Sequence, residues 1–255
     1  MAKEKSAIER FAESKFMRKL QEGSQKLASN EIFSTISGGM GATMGLIMVG
    51  AVIQIVCAVG AMFGWDTSSA SYQAFYMPYK LTMGLMGFFM CFSMAYNYAK
   101  RKKMNQMQSA VTALVCYILV VSPPVSASVV AADGTIGRAF DALNLSSLGT
   151  GGMFVAIIVG LCSVAISKFV IDHNWTIKLP DVVPEGIAHS FYAIIPMSVN
   201  IIVWYGISLI ISAVSGGALT LSSLITLILS VPVTFLTSTP GMFVVIALAQ
   251  LCWFF

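Results

Sequence analysis

Residues 79–103 read YKLTMGLMGFFMCFSMAYNYAKRKK. Between Lys80 and Lys100 there is no Asp, Glu, Lys, Arg or His, and then Lys100, Arg101, Lys102 and Lys103 follow without a break. A helix of about 20 apolar residues crosses the hydrocarbon core of a bilayer, and cations gather where such a helix leaves it on the cytoplasmic side. The stretch therefore predicts a membrane-spanning helix with a basic exit. Similar runs lie on both sides of it, at 32–63, 107–124, 148–171 and 191–214.

The composition of the whole chain agrees. Of 255 residues 57% are hydrophobic and 10% charged, and the mean hydropathy is +0.81. A soluble domain carries about a quarter of its residues as charges to cover its water-facing surface. This chain has 15 Lys/Arg and 11 Asp/Glu, too few to do so. A cytosolic enzyme, a secreted disulfide scaffold and a disordered chain are all excluded. The expected fold class is an all-α polytopic membrane protein with five transmembrane helices. A short amphipathic N-terminal helix precedes them, and the start of a second membrane domain follows. The net charge of +4 marks cytoplasmic loops rather than a nucleic-acid surface, because no basic run is interleaved with stacking aromatics. Cys57, Cys91, Cys116, Cys162 and Cys252 all lie in apolar runs with no C-x-x-C spacing, which fits packed thiols better than a metal or redox site.

Loop charges set the expected orientation. The segment before the first run holds seven Lys/Arg, the loop after the second holds four, and the loop after the fourth holds Lys168 and Lys178. The opposite side holds only Lys80 and Arg138. That asymmetry places the N-terminus in the cytoplasm of a cell whose plasma membrane the chain crosses several times. Residues 1–31 carry twelve charges and no uninterrupted apolar stretch, so they are not a signal peptide. Ile8, Ala12, Phe16 and Leu20 recur every four residues among Lys15, Arg18 and Lys19, as in a helix lying on an anionic lipid surface or on the protein's own cytoplasmic face. Residues 219–239 are uncharged but interrupted by Ser222, Ser223, Ser230 and Pro232, so they read equally as a sixth span or an interfacial helix. The last apolar run, from Met242 to Phe255, is 14 residues, about 21 Å of helix against a core of about 30 Å. It would leave a carboxylate inside the bilayer, so the sequence is expected to be cut off.

Few residues invite chemistry. Gly41 and Gly45, and then Gly152, Ala156 and Gly160, form small-xxx-small stripes that let helix backbones approach closely, within one chain or between two. The spans hold no deep ionisable group of the kind that ion-coupled pumps use as relays, so these helices are not expected to hold a substrate. Their amides Gln54, Asn97, Asn200 and Gln250 suit interhelical hydrogen bonds better than a sugar. The loop 172–190 is denser: Asp172, His173, Lys178, Asp181, Glu185 and His189. Asp181, Glu185 and His189 are four apart and would share a helix face as a docking surface, although Pro180 and Pro184 favour a solvated connector. His173 and His189 lack the tight spacing of a metal site, and the sequon at Asn174 would lie on the cytoplasmic side. No phosphate-binding loop, nucleophile elbow or dinucleotide fingerprint occurs, and no cofactor or catalytic residue is expected.

A resemblance adds to this. Ile177-Lys178-Leu179-Pro180-Asp181-Val182-Val183-Pro184, then Ser190-Phe191 and Ile195-Pro196, is similar to the membrane permease, enzyme IIC, of the sugar phosphotransferase system. The lactose/cellobiose/diacetylchitobiose branch is the nearest in pattern. Leu148-Gly149-Thr150-Gly151-Gly152-Met153-Phe154 and the closing Leu251-Cys252-Trp253-Phe254-Phe255 also resemble that family. Glu185 stands where the family often has a second proline. The resemblance implies a cytoplasmic segment at 1–31, a five-span dimer-forming scaffold at 32–215 and the beginning of a sugar-carrying domain at 216–255. The family's sugar-contacting histidine and glutamate would lie beyond Phe255. It implies a disaccharide substrate and a phosphorylated enzyme IIB as cytoplasmic partner, docking near residues 100–103. The rival expectation is a non-transporting scaffold, or a half-permease that pairs with a separate chain.

Overall fold

A computed structural model describes residues 22, 23, 25, 26, 29–130, 136–177, 185–217, 219–243 and 246. The amphipathic pattern at 8–20, Asp181 and Gln250 lie outside the described residues. The chain divides into two compact units, Gly38–Ile228 and a smaller one combining Met1–Ser37 with Leu229–Phe255.

The described part is mostly helical. Helix α1 covers Glu31–Met62, α2 Ala70–Thr82, α3 Met86–Arg101, α4 Gln106–Val121, α5 Leu145–Leu148, α6 Met153–Asp172, α7 Glu185–Val214 and α8 Leu221–Thr237. Helix α1 is continuous for 32 residues, about 48 Å, longer than a bilayer core. Three described segments are long and apolar enough to cross a membrane on their own: Glu31–Met62, Thr150–Asp172 and Phe191–Val214. Helices α3 and α4 have 16 residues each, about 24 Å.

Contacts within the larger unit order these helices. Gly39 lies against Met94 and Gly50 against Met83, so α1 and α3 run antiparallel. Gly87 faces Tyr117 while the Cys91 thiol meets the Ala113 carbonyl, so α4 reverses again. Gly87 also approaches Gly149, and Gly160 approaches Cys91, so α6 runs parallel to α3. Ser163 pairs with Trp204 and Ser167 with Asn200, which makes α7 antiparallel to α6. The chain thus reverses direction at each of these long helices. Its core lies where α3, α4 and α6 meet, around Met90, Met94, Cys116, Tyr117, Val155 and Val159. In contrast, α1 exposes Met44, Met48, Val52 and Ile55 by about 60% each, an apolar face of the kind that lipid or another helix covers.

Several boundaries differ from the sequence reading. The run at 79–99 is not one helix: a 3₁₀ turn at Met83–Leu85 separates α2 from α3. Thr82 leaves helical geometry, with φ −97° and ψ −82°, and its hydroxyl donates to the carbonyls of Pro78 and Tyr79. The break also brings the Gly84 carbonyl close to Gly149. The fourth run likewise begins as the short α5 and a 3₁₀ turn at Thr150–Gly152 before α6. The connector is shorter than 172–190, since Asp172 ends α6 and α7 starts at Glu185, directly after Pro184. An antiparallel hairpin, β1 Val125–Val130 with β2 Ile136–Ala142, was not anticipated. Its signal was the Asp133-Gly134 pair between two β-branched stretches.

Residues 219–239 contain helix α8, which both readings of that stretch require. It is a regular helix of 17 residues that ends at Thr237 despite Pro232. In the smaller unit Ser238 starts a new helical turn: its carbonyl accepts from the Met242 amide at 2.8 Å and its hydroxyl from Gly241 at 3.4 Å. Pro240 then falls in the first turn, where its missing N–H costs nothing.

Candidate functional site

The two small-residue stripes occupy different environments. A Cβ on Gly152 would collide with the Ser147 carbonyl and the Tyr117 hydroxyl. One on Gly160 would sit 3.2 Å from the Cys91 carbonyl and 3.3 Å from Met94 Cβ, and Ala156 is fully buried between them. These three residues let α6 approach α3 and α4. On α1, a Cβ on Gly41 or Gly45 would meet nothing within 4 Å. Those two glycines open onto the exposed apolar face.

Polar side chains join the helices where the sequence reading named only amides. Asn200 donates from Nδ2 to Ser167 Oγ at 2.9 Å and to the Pro196 carbonyl at 2.8 Å. Trp204 Nε1 donates to Ser163 Oγ at 2.9 Å. Ser163 and Ser167 are four apart on α6, as Asn200 and Trp204 are on α7, so the matching spacing was the available signal. Among the described residues Asn97 bonds within its own helix, to the Ser93 carbonyl, and Gln54 is exposed. Of the described cysteines, Cys57, Cys91 and Cys116 are buried, whereas Cys162 is exposed.

The basic turn has a defined geometry. Helix α3 closes with the Lys103 amide on the Lys100 carbonyl at 3.2 Å and the Met104 amide on the Ala99 carbonyl at 2.9 Å. This is the paired C-terminal motif in which the residue at Lys103 adopts a left-handed conformation, here φ 55°. A side chain there costs roughly 1 kcal/mol relative to glycine. Lys100 and Arg101, in the last turn, favour the negative end of the helix dipole and are exposed. Lys102 is half-buried, with Nζ 5.3 Å from the Tyr98 ring centroid. Asn105 then caps α4, accepting from the Gln108 amide at 3.2 Å.

At the C-terminus of α6, Lys168 pairs with Asp172 one turn on. His173 Nδ1 lies 2.8 Å from the Phe169 carbonyl, and its ring packs against Phe169 and Trp175. Among the described residues no group of three or more His, Cys, Asp or Glu gathers as for a metal ion. Glu185 and His189 lie in the first turns of α7, four apart, but their side chains fall outside the described residues, as does Asp181.

Comparison with known proteins places this helical arrangement. The family model described as "Phosphotransferase system, EIIC" matches residues 32–255. The chain belongs to the EIIC family. The lactose-specific EIICB component of Streptococcus mutans serotype c is 26% identical over 200 residues, 75% of this chain and 33% of that protein. The corresponding protein of Staphylococcus epidermidis is 28% identical over 199 residues, 74% of this chain and 32% of its own length. The crystal structure of ChbC, the IIC component of an N,N'-diacetylchitobiose-specific system, superposes with a TM-score of 0.71 at 22% identity, covering 87% of this chain and 52% of ChbC. The chain therefore spans about a third of the curated relatives it matches and half of ChbC. These relatives are of the lactose/chitobiose type, the branch to which the sequence motifs point. Membership makes this EIIC chain a multi-pass bacterial plasma-membrane protein.

Proposed function

We propose that this EIIC chain serves the uptake of a disaccharide of the cellobiose, chitobiose or lactose type by the phosphoenolpyruvate-dependent phosphotransferase system. The observation that carries the reading is the family match along 32–255. The alternating directions of α1, α3, α4, α6 and α7 support five crossings. The distribution of Lys and Arg supports an N-terminus in the cytoplasm.

In this reading the closely packed α3, α4, α6 and α7 are the fixed scaffold, at 32–215. The open face of α1, with Gly41 and Gly45, joins a second copy into a homodimer. Residues 216–255 belong to the part that moves the sugar across the membrane. A phosphocysteine on enzyme IIB, docked near residues 100–103 and the connector carrying Asp181, Glu185 and His189, then phosphorylates the sugar and traps it inside. No cofactor enters this scheme.

The test is uptake of labelled disaccharide by membrane vesicles containing the gene product, with phosphoenolpyruvate and the soluble phosphotransferase proteins added. Uptake that needs phosphoenolpyruvate and delivers phosphorylated sugar is expected. Uptake that collapses with the proton gradient, or crosslinked dimers that bind no sugar, would refute it. Reversing the charges of Lys100, Arg101, Lys102 and Lys103 should weaken enzyme IIB binding with topology unchanged; undiminished binding removes that docking face.

A further inference from the structure

Helix α1 is longer than a hydrocarbon core requires. Its 32 residues measure about 48 Å, and at a tilt of about 20° they cover about 45 Å along the membrane normal. A bilayer is about 30 Å thick in its core and about 40–45 Å with both headgroup layers. With Glu31 at one polar surface, Met62 therefore reaches the other. Residues 32–65 carry no charge, so α1 has no ionic reason to leave the bilayer before that point.

Helix α2 folds back along that far end. Gly50 lies against Thr82 and Met83, Gly60 lies against the Trp65 ring, and Val52 and Val56 share a groove with Phe75 and Pro78. Aromatic rings gather around the turn. Trp65 meets Tyr72 at 5.5 Å between centroids, Tyr72 stacks on Tyr76 at 5.8 Å, and Tyr76 tilts against Tyr79 at 4.7 Å. All four rings are half-buried, and Trp65 Nε1 donates to the exposed Ser71 Oγ at 3.1 Å. Rings with an apolar body and a polar edge concentrate at the headgroup boundary. Lys80 gives a second, independent indication. It is the only charged residue between Asp66 and Lys100, and its backbone lies between the levels of Gly50 and Val56, still within the core by the same measure. Its Nζ nevertheless donates to Gln73 Oε1 at 3.0 Å, two turns nearer the tip, and lies 5.8 Å from the Tyr76 centroid. A lysine stem runs along apolar surface in this way to bring its charge to the headgroups.

We propose that the α1–α2 turn is a membrane-interface anchor. Trp65, Tyr72, Tyr76 and Tyr79 lie in the headgroup and glycerol layer of the leaflet away from residues 100–103, and their partner is lipid. A second copy of the chain could cover the same rings, but it would not explain why α1 matches the full bilayer or why Lys80 reaches toward the tip. The anchor sets the depth and tilt of α1, and with them the depth of α3 packed beside it. It requires only the membrane reading of the helices, not sugar transport.

The first experiment needs no variant. The full chain in phosphatidylcholine vesicles is irradiated with phosphatidylcholine carrying a diazirine either beside the glycerol or at the acyl-chain end, and adducts are mapped by peptide mass spectrometry. The glycerol-side probe should label residues 62–79 more than the chain-end probe does. Equal or greater labelling by the chain-end probe, or labelling by neither, overturns the proposal. The second experiment follows Trp65 emission in the same vesicles, taken as the difference between wild type and Trp65→Phe because Trp175, Trp204 and Trp253 remain. A nitroxide on the lipid headgroup should quench it more than a nitroxide at the chain end or iodide in the water. Quenching by iodide alone places the turn in water, and quenching by none of the three means that a second copy covers it; either result refutes the anchor.

Discussion

Gly87→Ala probes the closest approach in the scaffold. Gly87 lies in the first turn of α3, where a Cβ would sit 2.8 Å from both the Leu148 and Gly149 carbonyl oxygens and would collide with the Tyr117 hydroxyl. Carbon and oxygen at ordinary contact are roughly 0.5 Å or more further apart, so the backbone of 148–149 must move. Tyr117 would also lose its 3.4 Å hydrogen bond to the Leu148 carbonyl, worth about 1 kcal/mol. Overpacking of this kind costs about 1–3 kcal/mol, and alanine's helical preference returns only a few tenths in a first turn. The expected net loss is about 2 kcal/mol. For a chain of this size that lowers Tm by about 4–8 °C in detergent. Gly41→Ala is the matched control, because its Cβ meets nothing within 4 Å and mid-helix alanine gains up to about 1 kcal/mol. The assay is thermal unfolding of the two purified variants beside wild type. If Gly87→Ala melts with or above Gly41→Ala, the close packing of α3 on 148–149 is wrong.

Gly41→Leu with Gly45→Leu should leave Tm of the detergent-isolated monomer within about 1 °C while shifting chemical crosslinks from dimer to monomer; undiminished dimer would exclude the α1 face. A double-mutant cycle of Ser167→Ala and Asn200→Ala should give a coupling of about 0.6 kcal/mol in unfolding free energy, and strictly additive losses would deny the 2.9 Å bond a role. The exposed Asp66 carboxylate accepts from the Ser68 amide at 2.9 Å and its hydroxyl at 2.8 Å, which holds its pKa below the ordinary 3.8. Because the folded pKa is the lower one, the turn's support is complete above the ordinary pKa and fades as pH falls through the folded value. NMR titration should show Asp66 protonating below pH 3.8, and Ser68→Ala should raise that midpoint; no rise would show that the serine does not set it.

Membrane class and the family resemblance were legible from the chain alone. Apolar runs interrupted by clustered cations depend only on local composition, and short motifs carry family likeness without a fold. The start of α1 within a residue of the expected position, and the end of α3 at residues 100–103, follow from the same local signals. Where runs break inside the apolar region, composition was silent. The turn at Met83–Leu85 sets Gly84 against Gly149 across 65 residues of sequence, a contact that no periodicity encodes.

The candidate site divides in the same way. Sequence spacing identified Gly41, Gly45, Gly152, Ala156 and Gly160 as small faces, because a four-residue repeat marks one side of a helix by geometry alone. It could not say which face already had a neighbour: Gly152 and Gly160 are closed by α3 and α4, while Gly41 and Gly45 remain open. Nor could it bring Lys102, Lys103, Lys168 and Ser167 around one cavity, since they sit at two helix ends more than 60 residues apart in the chain. Local physics decides which segments leave water. Only tertiary packing decides which of their surfaces meet one another and which stay free for a partner or a lipid.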